Sequence, residues 1–273
     1  MPKVSVLMAT YNRAKFLDRS IESVRAQSFK DWELIIMDDA STDTTPEVAR
    51  AWAKKEPRVV YVRGELNLHT TKNYNRGFSH AKGEYIAMLD DDDAWSDPDK
   101  LRKQAEFLGE HPDYVAVGGG MIVIDAQGKE LYRYLKPHTD RDIRDRMLLT
   151  NPIANSTSMF RRATAEKVGW YDATLRWSGD RDFFAKMGLV GKLYNFPEYF
   201  SYYTMAGQNA SITSMRPHLK VSLQVMNRYH DKYPKYHPAL FVNWSQYIYS
   251  FFPLWIKKLI HRSLARVKRF LVG

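Results

Sequence analysis

The chain has 273 residues, enough to bury a real core as one large domain with an appendage. It contains no cysteine, which excludes disulfides, thiolate metal sites and cysteine nucleophiles and fits a reducing compartment. Its net charge of +10 is unevenly placed: every charged side chain after Asp231 is Lys or Arg, so the remainder is nearly neutral, unlike a generally basic nucleic-acid-binding protein.

Met1-Pro2-Lys3 leads directly into a strand-like run, Val4 to Met8, so the opening reads as a first strand and not as a leader peptide. The run ends in the polar, turn-like Ala9 to Arg13. A helix follows with Phe16, Leu17, Ile21 and Val24 on one face. Leu34 to Met37 is a second buried strand that passes into Asp38 to Asp43, where Ser41 or Asp43 can cap the next helix. Val59 to Val62 is a third strand, and Thr70 to Ala81 is predicted helical. Tyr85 to Leu89 is a fourth strand, bounded by Gly83 and followed by the consecutive carboxylates Asp90, Asp91, Asp92 and Asp93.

Alternating strands and helices predict a parallel sheet with helices on both faces, and ligands bind such sheets beyond the carboxyl ends of the strands. The clusters Thr10–Arg13, Asp38–Asp43 and Asp90–Asp93 all fall at strand ends and should meet in one crevice. Closely packed carboxylates repel one another unless a cation sits among them, and oxygen donors suit Mg²⁺ or Mn²⁺. The competing reading makes them the acidic N-terminus of a helix starting near Asp97-Pro98. No glycine-rich phosphate loop is present, so a metal held by the acids is the natural way to meet diphosphate charge.

Further on, Tyr114 to Ile124 is an apolar stretch broken by Gly118-Gly119-Gly120. These glycines predict a bulge, a close approach of ligand to backbone, or a simple bend. Asp140 to Leu149 is a short amphipathic helix, and Asn151 to Ser158 is a polar stretch that could wall an acceptor site before a strand at Met159-Phe160. Asp180 stands at the mouth of a helix whose apolar face is Phe183, Phe184, Met187 and Val190; taken alone, such an aspartate is most often just an N-cap.

Four stretches now combine: Val4 to Arg13, IIMDDASTD at Ile35–Asp43, GEYIAMLDDDDAW at Gly83–Trp95, and SGDRDFFAKM at Ser178–Met187. In this order they resemble family 2 glycosyltransferases over roughly residues 1–205, and the opening is similar to bacterial spore-coat and exopolysaccharide members. The resemblance implies an α/β protein of the GT-A fold, with a mainly parallel Rossmann-like sheet and helices on both faces. It implies a catalytic domain over residues 1–212, its donor half about 1–95 and its acceptor half about 96–212, then a helical segment over 213–273. By position, Thr10, Tyr11 and Arg13 would flank the nucleoside, Asp39 would accept from the base, and Asn75 would belong to the donor site. Asp90 and Asp92 match the D-x-D acids, Asp90 near the ribose with Asp91 beside it, and Asp92 on a Mn²⁺ or Mg²⁺ ion bridging the diphosphate. Asp93 either contributes or is solvated, and Asp180 matches the catalytic base. Tyr74 replaces the Arg that often precedes Asn75. Ala206 stands where many members have His, leaving Gln208 or Arg216 as substitutes.

The tail is the least family-like part. At ~100° per residue, Ile256, Leu259, Ile260, Leu264, Val267, Phe270 and Leu271 fall within about 140°, opposite Lys257, Lys258, His261, Arg262, Arg266, Lys268 and Arg269. Such a basic amphipathic helix, preceded by Trp244, Tyr247, Tyr249, Phe251, Phe252 and Trp255, suits an anionic membrane surface; the alternatives are a helix packed on the protein, an oligomer contact or a nucleic-acid contact, the last disfavoured. The resulting expectation is a metal-dependent, inverting transferase. It would move sugar from a nucleotide donor to a glycan or lipid-linked acceptor, at the inner face of the cell membrane, in cell-surface polysaccharide synthesis. The rivals are a sugar-phosphate nucleotidyltransferase, which the missing glycine-rich loop disfavours, and a non-catalytic nucleotide-sugar or glycan-binding module.

Overall fold

A computed structural model describes residues 1–205 and 215–252. Ala206, Gln208 and the amphipathic stretch at 256–271 lie outside the described residues.

The chain opens β1 (Val4–Thr10), α1 (Ala14–Arg25), β2 (Trp32–Asp38), α2 (Thr45–Lys55), β3 (Val59–Arg63), α3 (His69–Phe78) and β4 (Tyr85–Met88). It continues through β5 (Ala94–Trp95), α4 (Lys100–Glu110), β6 (Tyr114–Asp125), β7 (Glu130–Tyr134), α5 (Asp140–Arg146) and β8 (Met159–Arg161). Then come α6 (Arg162–Val168), α7 (Gly179–Val190), β9 (Lys192–Met205) and two C-terminal helices, α8 (Met215–Arg228) and α9 (Tyr236–Tyr249).

The strands form one nine-stranded sheet among the described residues, in the order β3-β2-β1-β4-β8-β6-β9-β5, with β7 beside β6. β3, β2, β1 and β4 pair in parallel, β8 runs against both β4 and β6, and β9 is parallel to β6. The mainly parallel sheet expected from the sequence is thus present, with β8 reversed inside it.

Side-chain alternation divides the sheet between two cores. Leu7, Ile35, Met37, Ile86 and Met88 enter one hydrophobic cluster. Val6, Met8, Leu34, Ile36, Ala87 and Leu89 enter the other, where α1 adds Leu17, Ile21 and Val24. Both faces of the central strands are therefore buried, which is why their sequences read as unbroken apolar runs. Val225, Met226, Tyr229, Tyr233 and Ala239 of the C-terminal helical segment belong to the first cluster.

Three local findings refine the expectations. First, α4 begins at Lys100, so Asp90–Asp93 are not its first turn; they form a tight turn between β4 and β5, closed by the Asp93 N–H donating to Asp90 O at 3.1 Å. Second, α3 ends at Phe78, short of Ala81. Its exit tightens into i→i+3 bonds, and the next N–H groups are taken elsewhere: Lys82 donates to Glu33 Oε1 at 2.9 Å and Gly83 to Ser5 Oγ at 2.8 Å. Third, Gly118–Gly120 do produce a bulge, since the β6–β9 register shifts there. What approaches these glycines is the protein itself. A Cβ at Gly118 would meet the Asn195 side chain and one at Gly119 would lie 2.5 Å from the Phe200 ring. Gly119→Ala is expected to destabilise the fold by about 1–3 kcal/mol through overpacking in a sheet with no slack. An unchanged urea midpoint would contradict this.

Candidate active site

The ends of β1, β2 and β4 open onto one cavity of about 780 Å³, a size suited to a small-molecule ligand. Thr10, Tyr11, Arg13, Asp39, Asp90, Asp91, Asp92, Asp93 and Asp180 all line it.

The rim is stitched across strands. Asn12 Oδ1 accepts from the Thr42 N–H at 2.8 Å, the Asn12 N–H donates to Ser41 Oγ at 3.0 Å, and the Arg13 N–H donates to Thr45 Oγ1 at 2.9 Å. These bonds lock the loop after β1 to the loop after β2. Asn12, Ala40, His69 and Ser178 hold positive φ values of 54°, 65°, 65° and 54°, an arrangement of order 1–3 kcal/mol per residue that persists only where surroundings enforce it. Asn12 and Ala40 adjoin residues lining the cavity, His69 lines it, and Ser178 stands two residues before Asp180, which does.

The acidic turn is not uniform. Asp90 Oδ1 accepts from Tyr74 Oη at 2.7 Å and from Asn155 Nδ2 at 2.8 Å, and Tyr171 Oη donates to Asn155 Oδ1 at 3.0 Å. Asp91 is buried, and burial together with the Asp92 charge pushes its carboxyl up to about 8. Burial and the Asp90 charge also raise Asp92, which Arg13 partly offsets from 3.5 Å. Asp93 differs in role: it is fully enclosed, accepting from Ser156 Oγ and from the Thr204 N–H at 3.3 Å, so it anchors the turn to β9.

Asp91 and Asp92 are hard oxygen donors whose protonation is favoured by burial and mutual repulsion, conditions that a divalent cation relieves. Among the described residues no three acidic or imidazole side chains gather into a closed cage. Mg²⁺-type sites commonly use one or two carboxylates and complete their shell with water and phosphate oxygens, and the donor set fits that pattern. Thr10, buried and lining the same cavity, hydrogen-bonds toward Asp91 and partly offsets the rise of that carboxyl.

Asp180 lies in the first turn of α7. Asn151 Nδ2 donates to its Oδ2, and backbone N–H groups at the start of α7 also favour its charged form. Lys136 Nζ in turn holds Asn151 O at 2.8 Å. Burial raises the Asp180 proton affinity, and the Asp90 charge adds to it.

Two expectations are corrected by position. Asn75 does not line the cavity: its amide is spent on Tyr171, donating to Tyr171 O at 2.8 Å and accepting from the Tyr171 N–H at 3.2 Å. Arg216 is likewise away from it, donating to Ser250 O at 3.1 Å. Asp39 lines the cavity while already accepting from the Leu68 and His69 N–H groups at 2.9 and 2.8 Å, so it also fixes the entry to α3. Sequence reasoning missed Tyr74 as a partner of Asp90, together with Tyr171 and His218, which lines the cavity with its ring 4.6 Å from Trp177. The polar stretch Asn151–Ser158 did signal the Asn151 and Asn155 wall.

A mainly parallel sheet with β8 reversed inside it and β5 and β7 reversed beside β9 and β6, opening at its strand ends onto an acid-lined cavity, is the GT-A glycosyltransferase architecture. The mannosyltransferase PcManGT from Pyrobaculum calidifontis, solved with GDP-Man and Mn²⁺, matches with a TM-score of 0.67 at 18% identity over 99% of this chain and 83% of that one. TarS 1-349 of S. aureus, solved with UDP, matches with a TM-score of 0.63 at 20% identity over 82% of this chain and 65% of that one. The sequence model of Glycosyl transferase family 2 matches residues 5–169, and the chain belongs to that family. It is 39% identical over 176 residues to the putative glycosyltransferase EpsE of Bacillus subtilis, a match spanning 64% of this chain and 62% of that relative's length.

Proposed function

We propose that this chain transfers a sugar, with inversion at the anomeric carbon, from a nucleoside diphosphate sugar to a hydroxyl of a glycan or lipid-linked acceptor. A UDP-sugar is the first donor to test. The observation that carries this reading is the pairing, in one cavity, of an acidic donor-side turn with Asp180, a partly buried carboxylate of raised proton affinity.

Asp180 takes the proton of the acceptor hydroxyl as that oxygen bonds to the anomeric carbon, and the carbon–oxygen bond to the diphosphate breaks with its electron pair leaving on the diphosphate. Asn151 aims the base. Thr10, Tyr11 and Asp39 hold the nucleoside, with Asp90 and Asp91 at the ribose side and Arg13 bringing positive charge beside Asp92. Asp92 would hold Mn²⁺ or Mg²⁺, which when bound stabilises charge on the departing diphosphate. The setting we infer is cell-surface polysaccharide synthesis at the inner membrane face, with the basic stretch 256–271 contributing membrane affinity.

The test is a thermal-shift screen with UDP, dTDP, GDP and CDP, each with and without Mn²⁺ or Mg²⁺. A ligand at about 100 times its Kd adds about 2.7 kcal/mol of apparent stability. One nucleotide is expected to raise the melting temperature, and Asp92→Ala or chelation to remove the rise. No shift with any of them would refute the donor site.

A further inference from the structure

α9 buries Ala239, Val242 and Asn243 against the protein and turns Phe241, Trp244 and Ile248 outward, 65%, 49% and 54% exposed. Phe251, 54% exposed in the following turn, extends the spacing to i, i+3, i+7 and i+10, a single stripe along one face. The helix contains no Asp, Glu, Lys or Arg. A soluble surface helix normally turns charged side chains to water, and a contiguous exposed apolar stripe marks an interaction surface.

The charge around the stripe identifies its partner. At its far end Arg216 lies over the Phe251 ring at 4.0 Å and donates to Ser250 O and Oγ; among the described residues no carboxylate is in ion-pair range of it. The chain that continues beyond Phe252 carries Lys257, Lys258, Arg262, Arg266, Lys268 and Arg269 and no acid. Exposed aromatic and aliphatic side chains beside Arg216, on a chain whose continuing sequence is basic and free of acids, match an anionic lipid headgroup layer, where rings enter the interface and cations meet phosphate. No described helix is long and apolar enough to cross a membrane, which fits a helix lying in the interface plane.

We propose that the Phe241–Trp244–Ile248–Phe251 face of α9 docks on an anionic lipid surface. A lipid-linked acceptor would share that surface with the chain; this purpose, though not the contact, rests on the transferase reading above.

The experiment is co-sedimentation of the full chain with vesicles of phosphatidylglycerol mixed into phosphatidylcholine, and with phosphatidylcholine alone. Wild type is expected to bind the mixed vesicles preferentially. The triple variant Phe241→Ser, Trp244→Ser, Ile248→Ser is expected to bind about tenfold or more weakly. Its nucleotide-induced thermal shift, read without vesicles, should be unchanged; the single variants Phe241→Ser and Ile248→Ser should each show part of the loss if the triple variant does not fold. Equal vesicle binding by wild type and variant overturns the proposal. So does wild-type self-association by light scattering that the variant abolishes in the absence of vesicle binding, which would make the face a contact between copies. Vesicle binding without any nucleotide response would instead sink the donor site and leave the docking surface standing.

Discussion

Asp180→Asn is expected to lower sugar transfer by about 10²–10⁴-fold, the span over which a positioned general base contributes. Nucleotide binding should survive, because Asp180 sits on α7 and not among the strand-end residues assigned to the donor. The amide keeps the size of the carboxylate and can still meet Asn151, so the loss would report proton transfer and not collapse of the site. The same assignment fixes a pH dependence. Asp180 must be ionised to accept a proton, and burial raises its pKa. The rate should therefore fall as pH drops through a midpoint above the ordinary aspartate value of about 3.9. Wild-type turnover in the Asn variant, or a flat acid limb down to that value, would end the assignment.

The second large effect concerns stability. Asp182, two residues further along α7, is fully buried and accepts from Arg228 Nη1 at 2.7 Å and Tyr229 Oη at 3.0 Å, with Lys186 Nζ at 3.6 Å. Asp182→Ala would strand a buried tyrosine hydroxyl and remove the carboxylate that draws α8 onto α7. Breaking a buried ion pair costs about 3–5 kcal/mol. Arg228 is 41% exposed and keeps Asp172 at 2.8 Å, so the lower end, about 3 kcal/mol, is the expected loss in urea denaturation. A loss below about 1 kcal/mol would show that the clasp contributes little. Asp180 and Asp182 thus make a matched pair, one variant silencing transfer with the fold intact and the other loosening the fold.

Much of this was legible in the chain, for identifiable reasons. Val4–Met8, Leu34–Met37 and Tyr85–Leu89 are strands buried on both faces, so continuous apolarity marked them, and the acids at their ends marked the cavity. What escaped was set by tertiary geometry. Asn73, Tyr74, Gly77 and Phe78 face inward on α3 while Asn75 turns toward Tyr171, a phase that the polar composition of this helix concealed. Tyr74 stands where a relative would carry Arg, and only the fold shows its hydroxyl reaching Asp90. Asp93 was expected either to contribute to the acidic cluster or to be solvated, yet it is a structural anchor because Ser156 and Thr204 converge on it from remote parts of the chain.

The helix that carries the base has a further consequence. Arg181, between the two aspartates, donates to Leu148 O and Ser222 Oγ, so consecutive residues of α7 grip the loop before the cavity wall on one side and α8 on the other. Asp180 and α8 are thereby tied through adjacent residues of one helix. Were contact at the C-terminal helices to change acceptor binding at Asp180, acceptor binding would change that contact by the same factor, because binding couplings are reciprocal.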